Sequence, residues 1–184
     1  SIREFIRGEA LSRLGPEQRN LLDILTEVRG GATEGMLLDL DSKGLYFTQE
    51  AVVKLKDSNI LMEQEGMLVL HELVREVCIE GLDANRRRDI HTLLFEHYNE
   101  RFEEFYPPKK LEFEQVQKKI HLMKEMLHHQ SFFAPLAQRV ALLTELGEEM
   151  TSVAETDDVL RLSEDILRQR DNNGKHCTIE QEVT

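Results

Sequence analysis

The chain has 184 residues, 40% of them hydrophobic, with 23 Lys and Arg against 35 Asp and Glu and a formal net charge of -12. That length can bury a core in one or two domains, no apolar run is long enough to span a bilayer, and no signal-peptide pattern opens the chain, so a cytoplasmic protein is expected. The acidic balance argues against nucleic acid as the main partner, because Lys and Arg neutralising phosphates supply most of that affinity. Two cysteines, Cys78 and Cys177, are too few for a disulfide framework or a Cys-rich zinc site.

Ile2 to Leu14 reads as a first helix carrying Ile2, Phe5, Ile6 and Leu11. It starts at Ser1 with no capping residue and no initiator Met, so the sequence is expected to be a piece of a longer protein. Gly15-Pro16 starts the next helix, where the missing N–H of Pro has no partner to lose, and Leu21, Leu22, Leu25 and Val28 fall on one face. Gly30-Gly31 ends it. Thr33 caps a short helix with Met36, Leu37 and Leu40, and Thr48 caps another with Ala51, Val52 and Leu55 that stops at a left-handed Asn59. Two short apolar strands then flank Glu65-Gly66, and His71 opens an amphipathic helix. Three short helices followed by a hairpin is the order of a winged helix-turn-helix, although periodicity also permits an unrelated small α+β unit. The wing tip, Glu63-Gln64-Glu65, would repel a phosphate backbone.

From Asp83 onward no strand signal occurs. Asp83 caps a helix striped with Ile90, Leu94, Tyr98, Phe102 and Phe105 that breaks at Pro107-Pro108, and Val116, Ile120, Met123 and Leu127 mark the next. Phe132, Phe133, Leu136, Val140 and Leu143 predict a third helix with Pro135 in its first turns, loosened at Gly147; Val159, Leu162 and Ile166 predict a fourth. The expected architecture is therefore mainly α. It comprises a winged helix with a small β-hairpin over 1–82, a helical arm over 83–170 of antiparallel helices (tetratricopeptide-like or a plain bundle), and a disordered tail over 171–184.

Catalytic motifs are missing. Gly174-Lys175 lacks the Gly-rich cradle of a P-loop, no nucleophile elbow occurs, and His91 and His97 fall on different helix faces with no His-Glu-x-x-His run, so neither enzyme activity, cofactor nor metal site is expected in this chain. Arg86, Arg87 and Arg88 form the one basic run, in a helix's first turn where the dipole disfavours cations. It reads either as cations paired with nearby carboxylates such as Asp83 and Asp89, or as a docking surface for an acidic partner.

Several segments taken together resemble a known region. Leu-Ser-x-Leu-Gly-Pro-Glu-x-Arg-x-Leu-Leu at Leu11–Leu22, the winged-helix pattern, Leu70-His71-Glu72-Leu73-Val74-Arg75-Glu76, and Asn85-Arg86-Arg87-Arg88-Asp89-Ile90-His91 leading into Tyr98 look like the region that follows the ATPase core in STAND-class signal-transducing NTPases. These include the NB-ARC proteins of plant resistance and apoptosis and the maltose-regulator-like ATPases of prokaryotes. The resemblance spans roughly Ser1 to Phe105 and, more weakly, the helical remainder. It implies a non-catalytic regulatory and protein-interaction module whose winged helix clamps an upstream ATPase domain, with ADP or ATP bound in the parent protein. In the NB-ARC branch the His of a Met-His-Asp motif touches the β-phosphate of ADP. The matching residue is His71, flanked by Leu70 where Met is usual and Glu72 where Asp is usual. The alternative expectation is a free-standing winged-helix transcriptional regulator with a helical dimerisation or sensor region.

Overall fold

The computed structural model describes residues 2–44, 47–105 and 113–153. Among them the chain is mainly helical with one two-stranded antiparallel sheet. It divides into two compact units, Ser1–Leu93 and Leu94–Thr184.

The first unit opens with α1 (Ile2–Phe5), which runs on as a π-helical stretch over Ile6–Leu11. One helix to Leu14 was expected; Ile6 is the buried side chain of the segment, and Ile2 and Phe5 are exposed. Helix α2 (Pro16–Glu27) is the centre of the unit. Its start is fixed by Pro16 and by Gln18, whose Oε1 accepts from the Gly15 N–H at 2.7 Å, and Leu21, Leu22, Ile24 and Leu25 are buried along it. Helices α3 (Glu34–Ser42) and α4 (Gln49–Asp57) are capped by the hydroxyls of Thr33 and Thr48, and they bury Met36, Leu37, Leu40, Ala51, Val52 and Leu55. Asn59, at φ 54°, turns the chain out of α4.

Strands β1 (Leu61–Gln64) and β2 (Met67–Leu70) pair in the register Leu61 to Leu70 and Glu63 to Leu68. Glu65 and Gly66 both have positive φ, 53° and 78°, the signature of a two-residue turn whose twist matches the strands. Leu61, Leu68 and Leu70 face the core, while Glu63, Gln64 and Glu65 project into solvent.

A third strand position, absent from the sequence expectation, is supplied by one residue. Ala32, between α2 and α3, exchanges both backbone hydrogen bonds with Leu68, at 2.9 and 2.8 Å. Gly31 makes this approach possible. Its φ is 97°, and a Cβ there would lie 2.9 Å from the Leu68 carbonyl oxygen and 2.8 Å from a Val69 methyl.

Helix α5 (Glu72–Gly81) follows the hairpin, and α6 (Ala84–Glu103) follows after Asp83, whose carboxylate accepts from the Arg86 N–H at 3.0 Å. The first unit includes the opening turns of α6, whose Arg86, Arg87 and His91 bond to α2.

In the second unit, α7 (Phe113–Gln130) buries Ile120, Met123, Met126 and Leu127, and α8 (Leu136–Val153) packs against it after a short turn. Phe132 and Phe133 lie in that turn rather than in the helix, because Pro135 sets the helix start; Phe133 packs edge-on against Phe95, and Phe132 against His128. Gly147 does not end α8, consistent with a helix-interior glycine costing only about 1 kcal/mol. Tyr98 stacks on the buried His129 with ring centroids 5.4 Å apart. The break at Pro107-Pro108, the fourth helix around Val159–Ile166 and the tail over 171–184 lie outside the described residues.

Gly30 and Gly31 separate two causes of glycine dependence. Both have positive φ, but a Cβ at Gly30 meets nothing within 4 Å. Gly30→Ala is expected to cost about 1 kcal/mol, the left-handed penalty alone. Gly31→Ala adds overpacking against backbone and should cost about 3 kcal/mol in urea unfolding.

Candidate functional site

Helix α5 carries polar contacts to α2 and to the N-terminal segment, and His71 caps its start. The His71 N–H donates to the Ile60 carbonyl at 3.2 Å, which closes the base of the hairpin, and its carbonyl accepts from the Val74 and Arg75 N–H groups, which begins the helix. Its side chain is the helix cap: Nδ1 accepts from the Leu73 N–H at 3.3 Å. A ring nitrogen that accepts has no proton, so the neutral tautomer carries its hydrogen on Nε2. The residue is exposed, so the junction does not hold it as a packed core histidine.

One turn on, Arg75 reaches the far end of α2. Its Nη1 donates to the Thr26 carbonyl at 2.7 Å, and its Nη2 donates to those of Leu25 and Val28 at 3.2 and 2.9 Å. Helix C-termini leave carbonyls unpaired and carry the negative end of the dipole. A planar cation with several donors answers both needs, and an ammonium could not span three acceptors in this way.

The opposite side of the same helix end is also charged. Glu27 is almost fully buried, yet its carboxylate meets Arg87 Nε at 2.6 Å and His91 Nε2 at 3.0 Å. Burial pushes its pKa up, but hydrogen bonds from His91 and Arg87 outweigh that and leave it below the ordinary value. His91 is fully buried, and burial drives its pKa down despite the Glu27 carboxylate.

Arg86 bonds Asn20 and lies 3.8 Å from Asp23. Asn20, Asp23 and Glu27 recur at helical spacing on α2, so they form one polar stripe that receives the first turns of α6. Arg86 and Arg87 of the basic run thus reach across to α2, and Arg88 is exposed.

Beside this stripe lies a cleft of about 450 Å³ between the N-terminal segment, α2 and α5, floored by Leu22, Val77 and Leu82 and reached by Cys78. Burial raises the Cys78 thiol to about 11. Burial likewise raises the Asp23 carboxyl, against the opposing pull of Arg86 and Arg19.

On α4, Lys54 pairs with Glu50 at 2.6 Å and Lys56 pairs with Glu63 of the hairpin at 2.5 Å. His71 and the Arg86–Arg88 run, both singled out from the sequence, thus attach to α5 and to α6. Arg75 and Glu27 were not singled out. Arg75 entered only as a member of the Leu70–Glu76 segment, and Glu27 stands among apolar residues with no local pattern to mark it. No protein family, curated protein or solved structure matches the chain.

Two measurements test this account. Arg75→Met should destabilise the chain by about 2–4 kcal/mol, since it leaves buried carbonyls unpaired, and Arg75→Lys should recover less than half of that. The folded-state pKa of His91 is lowered from 6.5, so the unfolded chain binds the extra proton first and stability falls as pH drops below 6.5. Glu27, lowered from 4.5, adds a further loss below 4.5. His91→Gln should flatten the decline between pH 7 and pH 5.5 in urea titrations while leaving the steeper acid limb.

Proposed function

We propose that this chain is a non-catalytic regulatory and protein-interaction module of a STAND-like signalling ATPase, in which α2–α4 and the hairpin form a winged helix that acts as an intramolecular clamp. The observation that carries the reading is the geometry of His71. It is an exposed imidazole at a helix N-terminus, with one nitrogen committed to the cap and the other left as a donor. Such a group favours an anion placed before the helix, and the resemblance matches it to the His that touches the β-phosphate of ADP. The Ala32 bridge supports the winged helix, because it ties the link between α2 and α3 to the hairpin.

In this reading the partner is an upstream ATPase domain or another cytoplasmic protein, and the docking role expected of the Arg86–Arg88 run narrows to Arg88, the exposed member. Nucleic acid is not the partner. The two lysines of α4 are engaged by Glu50 and Glu63, and the wing tip adds Glu65, so the face that would meet a duplex offers carboxylates. Among the described residues no helix is long and apolar enough to cross a membrane.

The test compares two contexts. His71→Ala should cost the isolated chain no more than about 1 kcal/mol, the loss of one exposed cap, while accelerating ADP release from the parent protein. Unchanged ADP release would sink the nucleotide role. The isolated chain should give no heat with Mg-ADP or Mg-ATP in calorimetry, because it lacks a phosphate cradle.

A gel shift tests the alternative of a transcriptional regulator. No duplex binding is expected at physiological salt, and Glu63→Lys with Glu65→Lys should introduce weak, salt-sensitive binding. A shift by the parent chain would favour the regulator.

A further inference from the structure

We propose that the N-terminal segment Ile2–Leu11 is a detachable strap, fastened to α5 by an ionic clasp and hinged near Gly15, whose release opens the cleft beneath it. This inference stands apart from the nucleotide reading, since it rests on how the segment is held.

The hold at Arg3 and Arg7 is electrostatic. Arg3 pairs with Glu76 at 2.6 Å and with Glu80 at 2.8 Å, and Arg7 also pairs with Glu80. These are successive turns on each helix, Arg3 and Arg7 on one and Glu76 and Glu80 on the other, so the clasp is a matched set rather than a chance contact. All four side chains are between 40% and 51% exposed, where ion pairs are weak and salt-sensitive. Apolar contact adds little: Ile6 alone is buried, and Phe5 is 63% exposed.

The other end is fixed. Arg19 of α2 donates from Nη2 to the Leu11 carbonyl at 3.1 Å and from Nε to the Leu14 carbonyl at 3.3 Å, immediately before Pro16 sets the rigid start of α2. Between clasp and anchor the backbone is the π-helical stretch, a wound form rare except in short pieces at functional positions. It contains Gly8, where a Cβ would meet nothing within 4 Å, so packing does not require that glycine.

The segment covers something worth covering. Arg7, Leu11 and Leu14 form one wall of the 450 Å³ cleft, and Leu22, Val77 and Cys78 belong to the elements opposite. Swinging the segment about its anchored end removes that wall and bares the apolar floor. A segment buried by its apolar face would resist salt; one held by four exposed charges yields to it.

Cys78 reports the opening. In the full chain carrying Cys177→Ser, Cys78 is the sole thiol, and its labelling by N-ethylmaleimide follows the exposure of the cleft. The variant Arg3→Glu with Arg7→Glu should label about tenfold faster than the parent at fixed low salt, as expected for losing several weak ion pairs together. Adding Glu76→Arg and Glu80→Arg should restore the slow rate by rebuilding the clasp with reversed sign. Raising salt should accelerate the parent but slow the Arg3→Glu, Arg7→Glu variant, in which salt screens the repulsion between the new carboxylates and those of Glu76 and Glu80. Urea unfolding of the helical core should be the same in all three chains. An unchanged labelling rate in that variant would overturn the strap, and so would acceleration that tracks a lowered urea midpoint, since Cys78 would then be reached by global unfolding.

Discussion

The end of helix α2 is the constraint around which the first unit is arranged. Val28 and the carbonyls preceding it are buried, and a helix that ends inside a core leaves acceptors and a negative dipole end with no water to answer them. Arg75 is the answer, and it comes from a helix that begins more than forty residues later. For the guanidinium to arrive, α5 must start in register, which requires the hairpin to hand over at His71. For the hairpin to sit correctly, Leu68 must pair with Ala32, which requires Gly31 to let the backbones approach. A single steric allowance at one glycine thus supports a charge placed on another element, because each link fixes the next.

The same helix explains why an acidic chain contains a run of arginines. Asn20, Asp23 and Glu27 form a stripe on α2, and Arg86 and Arg87 meet it. Buried carboxylates are costly unless paired and hydrogen-bonded, so Glu27 needs Arg87 and His91 as much as they need it. A cation in the first turn of a helix opposes its own dipole, yet here the carboxylates across the interface outweigh that local cost. The charge pattern is therefore a matter of packing between helices rather than of either helix alone.

Local chemistry was legible in the sequence, and long-range partnership was not. Thr33, Thr48, Asn59 and Asp83 stand where caps and stops were expected, since each acts within three or four residues of itself. The Glu65-Gly66 turn and the handover at His71 followed from the same local rules. Ala32 gave no warning as a strand partner, because one alanine between glycines and a cap has no periodicity. Arg75 was visible only as part of a motif, and nothing near it names three carbonyls on α2. Phe132 and Phe133 continued an apolar stripe into what is a turn, where Pro135 rather than hydrophobic spacing decides the helix start. The place of His71 at the hairpin–helix junction was readable and its committed Nδ1 was not, since a cap is a geometric fact.

Helix α5, ten residues and therefore about 15 Å long, joins these contacts in one rigid piece. His71 is at its start, Arg75 grips α2 a turn later, and Glu76 and Glu80 hold the N-terminal segment along its exposed edge. The ties differ in kind. Arg75 is part-buried and bonds three carbonyls, so it moves only with α2. The Glu76 and Glu80 pairs lie in water and exchange readily with salt. A rod fixed firmly at one height and loosely at another resists displacement from its core while allowing the loose side to part. His71, one turn from the firm tie, consequently keeps its position whether or not the N-terminal segment is fastened, and a ligand there would meet a preorganised imidazole in either state.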